Sequence, residues 1–239
     1  MISIFATSIR PFLWARVHET IKKSTIRPFE IVFTSPFDPG VRLPRYFRLI
    51  KTGVKPAQAL EAAARACQGD LIMGTTDDLI YEPGALDLMA EAVESEERTL
   101  ASARYWVGDR DEYCYHQGGA VGVPGLTPLC PMMRTKDWCE AGGTDPIFCS
   151  SYGYDDLVVR LQMDHWKTIL VDRRVTELKG ESDLWNSSGN VDLQIIRGLW
   201  CQDKTFTCKR AKPPGSYNDA MLLTENQGEV RGSQATRWK

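Results

Sequence analysis

The chain has 239 residues, 43% of them hydrophobic and 25% charged, with a formal net charge of -2. That suffices for one full domain, or a domain with an appendage, of ordinary soluble globular composition. A charge so near zero excludes a strong overall field for nucleic acid or an anionic membrane. The balance is uneven, however. Between Met1 and Lys55 basic residues far outnumber the acids Glu19, Glu30 and Asp38, while the middle of the chain is acidic.

No apolar run reaches the roughly 20 residues of a membrane span. The start, MISIFATSIRP, has no basic stretch ahead of its apolar run, so no signal peptide is expected. Seven cysteines (67, 114, 130, 139, 149, 201 and 208) form an odd set without a C-x-x-C pair. They predict reduced thiols in a cytoplasmic protein and argue against a zinc site.

In chain order, Ile2 to Ala6 reads as a short strand closed by Thr7-Ser8-Ile9-Arg10-Pro11. Phe12, Leu13, Val17 and Ile21 then recur at helical spacing. Phe29 to Phe33 and Tyr46 to Ile50 read as strands, and Pro56 to Cys67 as an Ala-rich helix with its proline where a missing N–H costs little. Asp70 to Met73 is a fourth strand, and Glu82-Pro83-Gly84 opens a helix carrying Leu86, Met89, Ala90 and Val93. This alternation predicts a mostly parallel sheet flanked by helices, in which ligands gather at strand carboxyl ends. Thr7-Ser8, Thr34-Ser35 and Thr76-Asp77-Asp78 occupy such ends.

The second half is less regular. Thr99 to Trp106 and Thr168 to Val171 read as strands, Thr135 to Ala141 and Asp155 to His165 as helices. Gly118 to Gly125 is expected to be a mobile loop. The predicted division is one domain over 1–180, in two halves (1–98 and 99–180). Residues 181–239 form an extension packing on it, its polar end from Lys212 wrapping the surface or fraying.

Four stretches together resemble family 2-like glycosyltransferases of GT-A fold. They are Ala66-Cys67-Gln68-Gly69-Asp70-Leu71-Ile72-Met73 with Thr75-Thr76-Asp77-Asp78-Leu79; Glu82-Pro83-Gly84-Ala85-Leu86; Gly142-Gly143-Thr144-Asp145-Pro146-Ile147-Phe148; and Gly153-Tyr154-Asp155-Asp156-Leu157-Val158-Val159-Arg160-Leu161. Their order and spacing match the family over roughly residues 2–178. The resemblance implies an inverting, metal-assisted transfer of a sugar from a UDP- or GDP-linked donor, UDP favoured, to an acceptor hydroxyl.

By that resemblance Asp78 is the metal ligand, for Mn²⁺ or Mg²⁺, a hard cation that carboxylate and phosphate oxygens share. Glu177, where the family has a histidine, is a second ligand that would restore the charge lost at Thr76, which stands where the family has Asp. Thr7, Ser8, Arg10, Thr34, Lys55, Thr76, Asp77 and Arg160 are expected at the donor. Either Asp155 or Asp156 is the general base, and Trp138 and Glu140 face the acceptor. Two other readings stand beside this one. A nucleotidyltransferase would want a Gly-rich basic loop after the first strand, which is missing. A sugar-nucleotide-binding module that has lost catalysis is kept open by Thr76. A glycan, a lipid-linked intermediate, a protein or a modified nucleic acid would serve as acceptor, and oligomeric state is not encoded legibly.

Overall fold

The first strand, β1 (Ile2–Thr7), is buried along both faces. A strand takes that central position when its alternate side chains all find apolar partners. Ile2, Ile4 and Ala6 face one core with Trp14, Val17 and Ile21, whereas Phe5 faces another with Leu60, Ala63 and Trp138. The computed structural model describes residues 1–40, 42–111, 128–149 and 152–178, together with 192, 194–196 and 199. The glycine-rich run Gly118 to Gly125 and the tail from Lys212 lie outside the described residues.

After β1 come a single 3₁₀ turn (Pro11–Leu13), α1 (Trp14–Ser24), β2 (Phe29–Ser35), β3 (Phe47–Lys51) and α2 (Pro56–Ala66). Next are β4 (Leu71–Gly74), β5 (Leu79–Tyr81), α3 (Ala85–Ser95), β6 (Thr99–Val107) and β7 (Arg110–Asp111). β8 (Met132–Arg134), α4 (Thr135–Ala141), α5 (Gly153–Met163) and β9 (Lys167–Glu177) follow.

The strands form one sheet in the order β3-β2-β1-β4-β8-β6-β9-β5, with β7 added on β6. β3, β2, β1 and β4 are parallel, as the alternation predicts. The far half is mixed: β8 runs antiparallel to β4 and β6, β5 runs antiparallel to β9, and β6 and β9 are parallel. β5 and β8, three residues each, carry too little periodicity to be read from sequence.

Helices α1 and α3 contribute to the first core; α2, α4 and α5 contribute to the second. β1 lies between β2 and β4, so the chain reverses its direction of travel across the sheet there. Such a switch point opens a crevice at the strand carboxyl ends. The segments after β1 and β4 are its two lips.

Candidate active site

The two lips are joined by Asp77. Its Oδ2 accepts hydrogen bonds from the Ser8 hydroxyl (2.7 Å), the Ile9 N–H (2.9 Å) and the Arg10 N–H (2.7 Å). Its Oδ1 accepts from Arg10 Nη1 at 2.6 Å. Four donors around one buried carboxylate offset the cost of removing it from water. The Ser8 hydroxyl is also the acceptor for the Trp14 indole N–H, and the Ser8 N–H donates to the Thr34 carbonyl at 2.8 Å. The first lip is thus fixed at both ends before any ligand arrives. Asp77 anchors that loop.

Asp78 is placed differently. Its Oδ1 accepts from the Thr76 hydroxyl at 2.5 Å, and its Oδ2 lies 3.0 Å from Arg10 Nη1. Its backbone carbonyl accepts the Leu178 N–H at 2.9 Å, beside the β5–β9 pairing that sets Leu79 opposite Glu177. The end of β9 is thereby brought against the Asp pair. Burial, and then the Asp78 charge, push the Glu177 carboxyl upward, with Arg10 opposing. These are two mutually repelling carboxylates with one guanidinium nearby.

No group of three His, Cys, Asp or Glu side chains among the described residues is arranged to hold a metal ion by itself. Mg²⁺ and similar hard cations, however, are commonly held by one or two carboxylates, with water and substrate phosphates completing the shell. Asp78 and Glu177 supply hard oxygen donors and an excess of negative charge. Their chemistry fits a divalent cation that arrives with a diphosphate.

Helix α5 begins at Gly153 after Tyr152, whose φ is 62°, and its Tyr154 packs against Gly74 at the end of β4. Burial pushes the Asp155 carboxyl up to about 6; a hydrogen bond from its own backbone opposes this, and the Asp156 charge adds to it. Asp155 keeps part of its surface in solvent, whereas Asp156 is fully buried. Arg160 Nε donates to Asp156 Oδ2 at 3.0 Å, and its Nη1 and Nη2 donate to the Ala141 and Gly143 carbonyls at 2.6 and 2.5 Å. That pair fastens α5 to the end of α4.

Several residues expected at the site are elsewhere. Trp138 does not face an acceptor: it is buried in the second core, edge-on to Phe5 with ring centroids 5.2 Å apart. Thr34 does not line the crevice, because it is fully buried and its hydroxyl donates to the Ala6 and Ala59 carbonyls at 3.2 and 3.1 Å. Arg160 is turned inward, as described, rather than towards a donor. Thr7 is half-buried at the end of β1; Lys55, at the start of α2, and Glu140, on α4, are exposed.

Glu61 was not singled out by sequence. It is buried on α2, where it accepts from the Thr144 N–H and hydroxyl, both at 3.1 Å, and pairs with Arg65 at 3.2 Å. Burial raises its carboxyl, with Arg65 and Thr144 opposing. Gly143, at φ +67°, presses on the same carboxylate, and a Cβ there would fall 2.5 Å from it. The legible signal was a Glu–Arg pair four apart inside an otherwise Ala-rich helix.

The sequence matches glycosyl transferase family 2 over residues 42–153, from the approach to β3 into the start of α5. No curated protein matches it. Among solved structures it is similar to a crystal structure of GalNAc-T7 with UDP, GalNAc and Mn²⁺, with a TM-score of 0.65 and 13% identity. The match covers 85% of this chain and 48% of that one, so the chain spans about half the length of that structure. Residues 42–153 thus carry a family 2 glycosyl transferase match, and the chain as described has the GT-A glycosyltransferase fold, with the Asp pair at its switch-point crevice.

Proposed function

We propose that the protein transfers a sugar from a nucleoside-diphosphate donor, UDP-linked by preference, to an acceptor hydroxyl with inversion and with the help of a divalent cation. The observation that supports this reading is a set of three carboxylates near the end of β4, against which α5 is seated through Tyr154 and Gly74. Asp78 with Glu177 stands at the β4 and β9 ends, and the partly exposed Asp155 begins α5.

Asp155, not Asp156, is the base in this reading. Asp156 is sealed from solvent against Arg160, while Asp155 has solvent access and a carboxyl raised to about 6. A base titrating near the working pH takes up a proton most usefully. The acceptor O–H proton passes to Asp155 as the oxygen bonds to the anomeric carbon. The bond from that carbon to the diphosphate oxygen breaks, and its electron pair leaves with the diphosphate. A divalent cation on Asp78 and Glu177 would stabilise the charge growing on that leaving group. Asp77 holds the Ser8–Arg10 lip in shape against the nucleotide, and Glu61 holds the Gly143–Thr144 turn on the acceptor side.

A donor panel read by thermal shift, with and without Mn²⁺, tests this reading. A ligand that binds the native fold raises the melting temperature by mass action. UDP or a UDP-sugar is expected to do so, and to do so more strongly with Mn²⁺. If no nucleotide or nucleotide sugar shifts the transition in either condition, the proposal fails.

A further inference from the structure

Arg10 stands at the centre of the acidic cluster. A single nitrogen, Nη1, lies 2.6 Å from Asp77 Oδ1 and 3.0 Å from Asp78 Oδ2. Among the described residues it is the one cation in an ion pair with either aspartate. Glu177, on the neighbouring strand end, also feels its charge. The guanidinium therefore stands where the site most needs positive charge, on an oxygen that a divalent ion would take.

We propose that Arg10 is a built-in counter-ion that competes with the divalent cation for Asp78. This rests on the metal-assisted reading above and adds a positioning role for Arg10 at that site. Two features of the geometry make the competition workable. The backbone of the lip is held through Asp77 Oδ2, by the Ile9 and Arg10 N–H groups and the Ser8 hydroxyl, whereas the guanidinium is held through Oδ1. The side chain can therefore leave while the loop stays in place. The Arg10 and Asp78 side chains also retain 14% and 10% of their exposure, which puts their contact at the rim of the crevice.

In the resting protein the guanidinium keeps Asp77 and Asp78 from repelling each other. A divalent ion held by Asp78 would compete with the guanidinium for that carboxylate, and Arg10, displaced from it, would be available to the phosphates of a donor. The first lip and the metal position thus become linked through one side chain.

The test is Mn²⁺ binding to the full chain without nucleotide, with free Mn²⁺ followed by electron paramagnetic resonance. Arg10→Gln removes the competing charge and is expected to bind Mn²⁺ roughly tenfold more tightly than wild type, since a unit charge a few ångströms away matters on that scale. Arg10→Lys keeps the charge and is expected to bind close to wild type. A merely structural role would weaken binding in Arg10→Gln, the opposite sign. Equal or weaker binding by Arg10→Gln, in the face of measurable wild-type binding, overturns this inference alone. No Mn²⁺ binding by any of the three overturns the metal-assisted reading and this inference with it. Should Arg10→Gln not fold, the Arg10 side-chain Nε–H resonance of the wild type, assigned with Arg10→Lys, decides. It is expected to shift on titration with Mg²⁺, and a resonance unmoved at saturation overturns the competition.

Discussion

The Tyr154 hydroxyl stands where the side chain of residue 74 would begin: a Cβ added to Gly74 would lie 1.3 Å from it. Helix α5 and strand β4 are thereby seated on each other just before the chain enters Thr75-Thr76-Asp77-Asp78. The tyrosine hydroxyl is buried there with no hydrogen-bond partner among the described residues. Gly74→Ala is expected to destabilise the fold by about 1–3 kcal/mol, the usual cost of overfilling a packed interior. Tyr154→Phe removes no hydrogen bond and is expected to be neutral or stabilising. The double variant should recover only part of the loss, because the ring Cζ would still lie 2.1 Å from the added Cβ, and urea denaturation of all four proteins measures that coupling.

Asp77 and Asp78 are adjacent yet should respond differently to amidation. Asp77→Asn weakens the acceptor of four hydrogen bonds and leaves Arg10 short of a partner inside the protein. A loss of about 3 kcal/mol is expected, in the range for breaking a buried pair. Asp78→Asn should cost much less stability but remove the Mn²⁺-dependent part of the thermal shift by UDP. Denaturation curves and the shift assay separate the two.

The Asp155 carboxyl lies above its ordinary value of 3.8, at about 6, chiefly because of burial. As the base it must be ionised, so turnover is expected to rise with pH through about 6. Asp155→Asn should lower turnover about 10²–10⁴-fold, as loss of a positioned base does. The sign for stability is the reverse. Between 3.8 and about 6 the unfolded chain has released this proton and the folded one retains it, so stability falls as pH rises. Asp155→Asn should therefore be more stable than wild type at pH above about 6 and lose that advantage in acid. Asp156→Asn leaves Arg160 without its buried carboxylate, and there a loss of about 3 kcal/mol is expected. Thermal denaturation against pH, beside initial rates, distinguishes the two residues.

Glu177 is raised by burial and by the Asp78 charge, so its ionised form strains the folded protein. Glu177→Gln should hold or raise thermal stability at neutral pH while weakening Mn²⁺ binding, measured by titration calorimetry. Mn²⁺ binding as tight as wild type would remove Glu177 from the ligand set.

The parallel half of the sheet was legible because β1, β2 and β4 are buried on both faces and read as largely apolar runs, with amphipathic helices between the strands. β5 and β8 were not: each is three residues long and exists by pairing with distant strands, Met132 with Met73 and with Ala101. Likewise the position of the Asp pair followed from the end of an apolar run. The inward turn of Asp77 did not, because its donors lie 67–69 residues away in sequence. Trp138 illustrates the same limit. Its spacing on α4 fits either an exposed or a buried face, and contact with Phe5, from the first strand, decides for burial.

The turn that follows α4 is clasped from two sides. Ala57, at the start of α2, donates its N–H to the Cys149 carbonyl at 3.1 Å, and the Cys149 N–H donates to Asp192 Oδ1 at 2.9 Å. Phe148 is sealed between Ala57, Val159 and Ile196. A chain shortened after β9, for expression or for grafting onto another protein, would lose Asp192 and Ile196 together. It would bare Phe148 and free one edge of the turn, a poor place for a cut by the measure of buried contacts and bonded backbone. The recognisable family region is therefore not a portable module: residues well downstream of it serve as its clasp.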